Sequence, residues 1–369
     1  MCGMLAAWVA LAVLTVVLFF ASIPVAYEQL HTVCEGAGCV PRLSPEGARA
    51  LEGIGLSLGF YAAYHVALAI GVTLGYWLTG ATLFWKRYDD RLILYASMAL
   101  VTFGAMQSAT LRGLAKAYPG LDLPVALVYF VGEVSFFVLF CVFPDGRFVP
   151  RWTRWAAAVW LFYQLLDSFF PEAPFSPGNW PLLIDLSLFV GLISSLIAAQ
   201  VYRYRRVSGP VERQQTKWVV FGFTVAIVVF IGVGLIGWIY EPTRSGRSEL
   251  LYGSVGALVV ALCALLIPLS IGLAIVHHSL WDIDLVINRA LVYGSLSTVL
   301  AAVFAITHTL LLPRLVESIL GKEDATLNAV ISAVIIAVLF EPLRRRIQVG
   351  VDSLTDWLVG GNRMSESPQ

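Results

Sequence analysis

Long apolar runs dominate this chain and limit what it can fold into. A membrane-spanning helix needs roughly 20 mostly apolar residues. Ten runs approach that length, at about 4–26, 55–85, 92–112, 125–143, 155–170, 181–202, 217–240, 251–276, 290–312 and 327–341. Because 59% of the residues are hydrophobic and only 13% are charged, the runs cannot share one aqueous core, and lipid must solvate most of them. The sequence predicts an all-α, polytopic integral membrane bundle of ten transmembrane helices.

Basic residues predict the orientation of these helices, since cytoplasmic connections carry an excess of Lys and Arg. If each even-numbered run ends on the cytoplasmic side of the membrane, the connections on that side (the inner connections) hold about two-thirds of the 24 basic residues. We therefore expect both termini in the cytoplasm, a transmembrane domain over residues 1–341 and a short amphipathic cytoplasmic tail over 342–369. The balance of 24 basic and 24 acidic residues argues against a nucleic-acid partner, which would require a basic face.

The longest outer connection, residues 27–54, contains two cysteines in a polar stretch. Cys34 and Cys39 occur in "HTVCEGAGCVPR", and a local disulfide forms there if the loop faces an oxidising compartment. Ser44 followed by Pro45 is a helix-start signal. The loop is therefore expected to carry a short helix.

A few polar side chains lie inside the runs, where they are costly and indicate candidate functional positions. They are His65, Gln107, Glu133, Gln164, Asp167, Asp185 and His308. Most fall in the outer half of their runs, so they are expected to form an outward-opening ligand pocket. Interhelical hydrogen bonds that fix packing are the alternative, and passage of ions or protons is another. No cofactor or metal site is indicated, because single histidines on distant helices make a poor haem site.

The inner connections combine acidic and basic residues. A second candidate set, for coupling to the cytoplasm, contains Asp145, Arg147, Asp282, Asp284, Asn288, Arg289, Glu341, Arg344, Arg345 and Arg346. Each loop alone is explained as a solvated turn that follows the positive-inside bias. Together, short loops bring opposite charges close, which predicts an ion-paired cytoplasmic layer that transmits helix movements.

Several of these segments resemble one family. "FPDGRFVPRWTRW" (143–155), "GPVERQQTKWVVFG" (209–222), "WDIDLVINRALVYG" (281–294) and "FEPLRRRIQ" (340–348) are similar to the multi-span sensor region of bacterial two-component histidine kinases. The resemblance covers about 54–350 and implies a sensor in a bacterial cytoplasmic (inner) membrane. No phosphate-accepting His segment or nucleotide-binding motif follows residue 361 in this sequence, so kinase activity is not expected from the resemblance.

Three functions remain open from the sequence. The first is a non-catalytic sensor that passes helix movements to a separate cytoplasmic signalling protein. The second is a transporter of a small solute, and the third is an accessory subunit of a membrane complex. An enzyme is not expected, because no metal-binding His-Glu pair, nucleophile turn or phosphate loop is present.

Overall fold

The computed structural model describes residues 2–34, 42–87, 89–207, 209–240, 246–276 and 341–342, together with Arg345. Within these ranges the secondary structure is helical and contains no strand. The α-helices are α1 (Cys2–Leu30), α2 (Pro45–Gly53), α3 (Leu58–Arg87), α4 (Arg91–Met106), α5 (Thr110–Ala117), α6 (Asp122–Val142), α7 (Thr153–Phe169), α8 (Leu182–Arg206), α9 (Pro210–Tyr240), α10 (Arg247–Leu251) and α11 (Ala257–Val276). A π-helical turn, Tyr252–Gly256, joins α10 to α11. The predicted all-α class is confirmed.

Several of these helices have the length and composition of membrane spans. In the described part of the chain, 6 segments qualify: Gly3–Leu30, Leu58–Lys86, Pro119–Val142, Leu183–Arg206, Gln215–Gly234 and Arg247–Ile275. The predicted run 155–170 is α7, a helix of 17 residues. The runs 290–312 and 327–341 lie outside the described residues, apart from Glu341. A helical membrane bundle is supported, and the number of ten crossings stays a prediction.

The predicted run 92–112 is not one straight helix. It is divided into α4 and α5, whose axes differ by 65°. Gln107 caps the end of α4, and its backbone N–H bonds to the Gly104 carbonyl at 3.4 Å. The Ser108 and Thr110 hydroxyls then bond to each other at 2.9 Å. These polar groups interrupt the apolar run at the point where the chain turns.

Close packing between α3 and α4 depends on a glycine. Tyr76 of α3 is fully buried, and a Cβ added to Gly104 of α4 would collide with it. The Tyr76 hydroxyl donates to the Ala264 carbonyl of α11 at 3.1 Å. It also accepts from Gln107 Nε2 at 3.0 Å. One tyrosine therefore joins three helices, because a small residue lets its ring approach a neighbouring backbone.

Aromatic rings fill the contacts around α6. Phe103 of α4 stacks on Phe136 with centroids 3.8 Å apart. On the other side, Phe137 stacks on Trp160 of α7 at 5.0 Å. The Trp160 indole N–H donates to the Glu133 carbonyl at 3.2 Å. These contacts place α6 between α4 and α7 at the level of Glu133 along the α6 axis.

The outside of the bundle is also apolar. Val17 on α1 is 59% exposed, Leu183 on α8 77% and Phe230 on α9 67%. Extended apolar surface of this kind is rare on water-soluble monomers. It is the surface that a bilayer solvates, and it supports a membrane-embedded protein.

Two ends of the bundle carry polar connections. At the first, which we call the Ser44 end, Ser44 caps α2 by accepting from the Gly47 N–H at 3.1 Å. Glu249 of α10 accepts from the Ser44 N–H at 2.8 Å and from its hydroxyl at 2.5 Å. Gln29 of α1 donates to the Gly113 carbonyl of α5 at 3.1 Å. The short helix α2 is therefore fastened to α10. The opposite end, the Arg203 end, contains the α6–α7 connection.

The chain divides into two compact units, Met1–Ser279 and Leu280–Gln369. All of the helices given above belong to the first unit. In the second, Glu341, Pro342 and Arg345 are described. The predicted boundary between residues 341 and 342 stays a prediction.

Candidate functional site

Three of the predicted pocket residues meet near the Ser44 end of the bundle. We call Glu133, Asp167 and Asp185 the acid cluster. They come from the middle of α6, the last turn of α7 and the first turn of α8, respectively. Each is partly buried. Electrostatic interactions connect Glu133 with Asp167, and Asp167 with Asp185.

Tyr163 joins α7 to α8 within this cluster. Its hydroxyl donates to Asp185 Oδ1 at 2.7 Å. A hydrogen bond between a hydroxyl and a carboxylate is stronger than one between neutral groups. Tyr163 was not among the predicted site residues, because a tyrosine near the end of an apolar run is also typical of the membrane interface.

One basic residue lies near two of the three acids. Arg112 of α5 interacts electrostatically with both Glu133 and Asp167, and its guanidinium lies 4.7 Å from the centre of the Tyr129 ring. The α4–α5 bend puts Arg112 beside α6, which no spacing in the sequence indicated. With three carboxyl groups and one guanidinium, the cluster is suited to a ligand that supplies hydrogen-bond donors or positive charge. Among the described residues no group of His, Cys, Asp and Glu could hold a metal ion.

The other predicted pocket residues have different surroundings. Gln107 contacts Tyr76, as described above, and Gln164 of α7 is buried with 6% exposure. His65 of α3 lies between Tyr61 and Tyr64, at ring-centroid distances of 4.4 and 5.3 Å. His308 lies outside the described residues. The structure therefore brings together three of the seven predicted positions.

His65 is next to an irregular part of the backbone. The Tyr64 hydroxyl donates to the Ser254 carbonyl within the π-helical turn at 2.8 Å. A Cβ on Gly253 of the same turn would lie 2.9 Å from the Tyr61 hydroxyl. His65 Nε2 is buried and has no hydrogen-bond partner among the described atoms. The structure thus brings the His65 imidazole and the phenol groups of Tyr61 and Tyr64 together beside the π-helical turn.

At the opposite end, a buried arginine holds the α6–α7 connection. Arg203, in the last turn of α8, is 1% exposed. Its Nη1 lies 2.9 Å from Asp145 Oδ1. Its guanidinium also donates to four backbone carbonyls, those of Val142, Phe143, Arg147 and Val149. We call Arg203, Asp145 and these carbonyls the Arg203 cluster.

Arg203 is a residue that sequence reasoning missed. An arginine at the end of a span is normally assigned to the headgroup level. A usable signal was its spacing from Gln200, which places two polar groups on one face of an apolar helix. Gln200 Nε2 donates to the Phe140 carbonyl at 2.5 Å. Both side chains therefore bind the end of α6.

The predicted cytoplasmic ion pairs are described only in part. The Asp145 carboxylate accepts from the Arg147 N–H at 3.3 Å and pairs with Arg203. Glu341 pairs with Arg345, one helical turn away, at 3.0 Å on an exposed surface. The remaining members of the predicted set, Asp282, Asp284, Asn288, Arg289, Arg344 and Arg346, lie outside the described residues.

The two cysteines of the predicted outer loop are also described in part. Cys34 is disulfide-bonded, and its predicted partner Cys39 lies outside the described residues. The Cys34 N–H bonds to the Leu43 carbonyl at 2.9 Å. Cys141 and Cys263 are free thiols.

Comparisons with family models, curated proteins and solved structures find no match for this chain.

Proposed function

We propose that this protein is a non-catalytic membrane sensor, which passes a helix movement from the acid cluster to a separate cytoplasmic signalling protein. The observation that carries the proposal is the position of α8. Near its start Asp185 bonds to α7, and near its end Arg203 binds the α6–α7 connection. The two residues are 18 positions apart, which is about 27 Å at 1.5 Å per residue.

A rigid helix attached at both ends transmits displacement. A ligand that competes with Tyr163 for Asp185 would shift the start of α8. Because Arg203 binds the last carbonyl of α6 and three carbonyls of the connection that follows, the same shift would change the conformation of residues 142–149. The proposal includes ten crossings, both termini in the cytoplasm of a bacterium, and no catalytic activity. The Cys34 disulfide supports an oxidising compartment for the Ser44 end.

The test concerns the inner connections. A photo-crosslinking residue at position 284 is expected to capture a soluble signalling protein in intact cells. Neutralising Asp282 or Arg289 should reduce that cross-link without lowering the amount of membrane protein. The same cross-linker at Tyr118, on the Ser44 side, is the matched control. A cross-link that is independent of Asp282 and Arg289, or the absence of any cross-link at position 284, would contradict the proposal.

A transporter is the second candidate, and one observation favours it. The bent α4–α5 pair next to Glu133 is comparable to the interrupted helices that line transport sites. In proteoliposomes with an imposed membrane potential and an internal pH dye, this function predicts proton entry that Glu133→Gln abolishes. Absence of proton entry with the unmodified protein would count against proton-coupled transport. An accessory role in a membrane complex has no such specific support.

A further inference from the structure

A buried amide borders the acid cluster on α7. Gln164 precedes Asp167 by three residues and follows Trp160 by four, so the three side chains lie on one face of the helix. That face is turned towards α6, because the Trp160 indole N–H donates to the Glu133 carbonyl. Gln164 is 6% exposed, and it makes no hydrogen bond within the part of the chain that the structure describes. Buried polar groups are nearly always satisfied in native proteins, so this amide requires a partner.

The carboxyl groups of Glu133 and Asp167 also lack direct partners. Neither forms a hydrogen bond or an ion pair among the described residues, and Arg112 acts on both through its charge alone. No polar atom of these two side chains or of Gln164 is fully enclosed by the described residues. A group about the size of a water molecule therefore reaches each of the three side chains.

The negative charges of the cluster converge on one hydroxyl. Tyr163, which precedes Gln164 in α7, interacts electrostatically with Glu133, Asp167 and Asp185. When they are ionised, the three carboxyl groups outnumber the single guanidinium of Arg112 by two charges. Unbalanced charge at the edge of an apolar bundle is costly, and a cation beside Tyr163 would offset part of that cost.

We propose that the acid cluster binds a primary alkylammonium ion, which donates its three N–H groups to the carboxylates of Glu133 and Asp167 and to Gln164 Oε1. An ammonium group directs three donors away from one compact charge, which matches three acceptors on two helices. A quaternary ammonium ion would supply the charge but leave the acceptors unpaired. A metal ion is disfavoured, because the described residues contain no group of His, Cys, Asp and Glu that could hold one.

A bound ammonium group would also act on the start of α8. Asp185 interacts electrostatically with Asp167, so a positive charge beside Asp167 attracts Asp185 in competition with the Tyr163 hydroxyl. Trp180, which lies just before α8, is in ring contact with Tyr163 at 6.1 Å, so a shift of Tyr163 reaches this segment directly. The inference names the ligand of the proposed sensor, and in that respect it rests on the proposed function.

The experiment measures binding to the full chain in phosphatidylcholine nanodiscs by isothermal titration calorimetry at neutral pH. The probe is n-butylamine, and empty nanodiscs correct for its partition into lipid. Two comparators have the same alkyl chain: butyltrimethylammonium has the charge without an N–H donor, and n-butanol has a donor without the charge. We expect saturable binding of butylamine, and binding of each comparator that is weaker by about tenfold or more.

Three substitutions test the individual acceptors. Glu133→Gln removes one charge and should weaken butylamine binding about ten- to hundredfold, the size expected for a hydrogen bond to a charged group. Gln164→Leu removes a neutral acceptor and should weaken it about three- to tenfold. Asp122→Asn is the matched control, because Asp122 is an exposed acid in the first turn of α6, and it should leave binding unchanged. The two comparators are measured on the unmodified protein, so they decide the outcome even if a variant fails to fold.

Absence of butylamine binding to the unmodified protein would overturn the proposal. Equal binding of butylamine and butyltrimethylammonium would overturn it as well, since it would show attraction by charge alone, and so would unchanged affinity in a folded Glu133→Gln variant. The cross-link at position 284 tests the signalling function separately. A cross-link without butylamine binding would refute only the ligand class, whereas butylamine binding without a cross-link would refute only the signalling function.

Discussion

Replacing Arg203 by methionine tests a buried side chain that makes one ion pair and four hydrogen bonds. Methionine keeps an unbranched stem and removes the guanidinium. The change breaks the 2.9 Å ion pair with Asp145 and four hydrogen bonds, one to the last carbonyl of α6 and three to carbonyls of the α6–α7 connection. The loss is concentrated at one connection, which makes its effect on stability measurable.

The magnitude follows from the burial of the partners. A typical hydrogen bond contributes about 1 kcal/mol net, and bonds to charged groups contribute about 1.5–3 kcal/mol. Removing one partner of a buried pair costs about 3–5 kcal/mol. The Asp145 side chain is 28% exposed, so water screens part of its charge. We therefore expect a loss of about 3–4 kcal/mol in the free energy of unfolding.

Two further variants separate the carbonyl bonds from the ion pair. Asp145→Asn keeps an oxygen acceptor for Arg203 and all four carbonyl bonds, so it should cost only about 1 kcal/mol. Arg206→Met is the matched control, because Arg206 is an exposed arginine in the same last turn of α8. A surface substitution of this kind should change stability by less than about 0.5 kcal/mol.

The assay is reversible unfolding of the purified protein in mixed detergent micelles, followed by circular dichroism. If Arg203→Met and Arg206→Met are equally stable within about 0.5 kcal/mol, the reasoning is refuted. A cost of Asp145→Asn as large as that of Arg203→Met would show that the ion pair, rather than the carbonyl bonds, dominates.

Three other predictions concern packing, the outer loop and the disulfide. Gly104→Ala should destabilise the protein by about 1–3 kcal/mol through overpacking. Gly191 lies in open space on α8, so Gly191→Ala should instead stabilise the protein by about 0.5–1 kcal/mol. Thermal unfolding of the two variants measures both changes. Glu249→Ala should release α2 and accelerate tryptic cleavage within it, because it removes both hydrogen bonds from Ser44. Adding Ser44→Ala should accelerate cleavage further, because it also removes the cap on the Gly47 N–H. Cys34 should react with a maleimide only after reduction, as measured by mass.

Each of these has a contradicting result. Equal stability of the two glycine variants would show that the close approach of α3 and α4 does not restrict position 104. Cleavage of the double variant that is no faster than cleavage of Glu249→Ala alone would show that the Ser44 cap does not hold α2. Labelling of Cys34 before reduction would show a free thiol.

The fold was predictable because lipid leaves few alternatives. A backbone in hydrocarbon must satisfy its own hydrogen bonds, so a long apolar run such as 125–143 forms a helix, and α6 occupies nearly that range. The division of the run 92–112 was not predicted. It depends on the local hydrogen bonds of Gln107 and Ser108. The hydrophobic composition of the run does not indicate these bonds.

The sites were predictable to different degrees. Glu133, Asp167 and Asp185 stood out because carboxyl groups are rare in apolar runs, and the bundle brings them together. Arg112 and Arg203 did not stand out, because an arginine at the end of a span has an ordinary topological explanation. Their roles follow from helix bends and connection geometry, which depend on the whole bundle.

The central claim is that α8 mechanically connects the acid cluster to the Arg203 cluster. Hydrogen exchange of residues 143–152 in nanodiscs tests it most directly, with Asp185→Leu, Arg203→Lys and the double variant compared with the unmodified protein. Asp185→Leu removes the acceptor of the Tyr163 hydroxyl, and we predict that it increases exchange in this connection but has little further effect once Arg203 is replaced. Exchange that is unaffected by Asp185→Leu, or effects of the two substitutions that simply add, would contradict the claim.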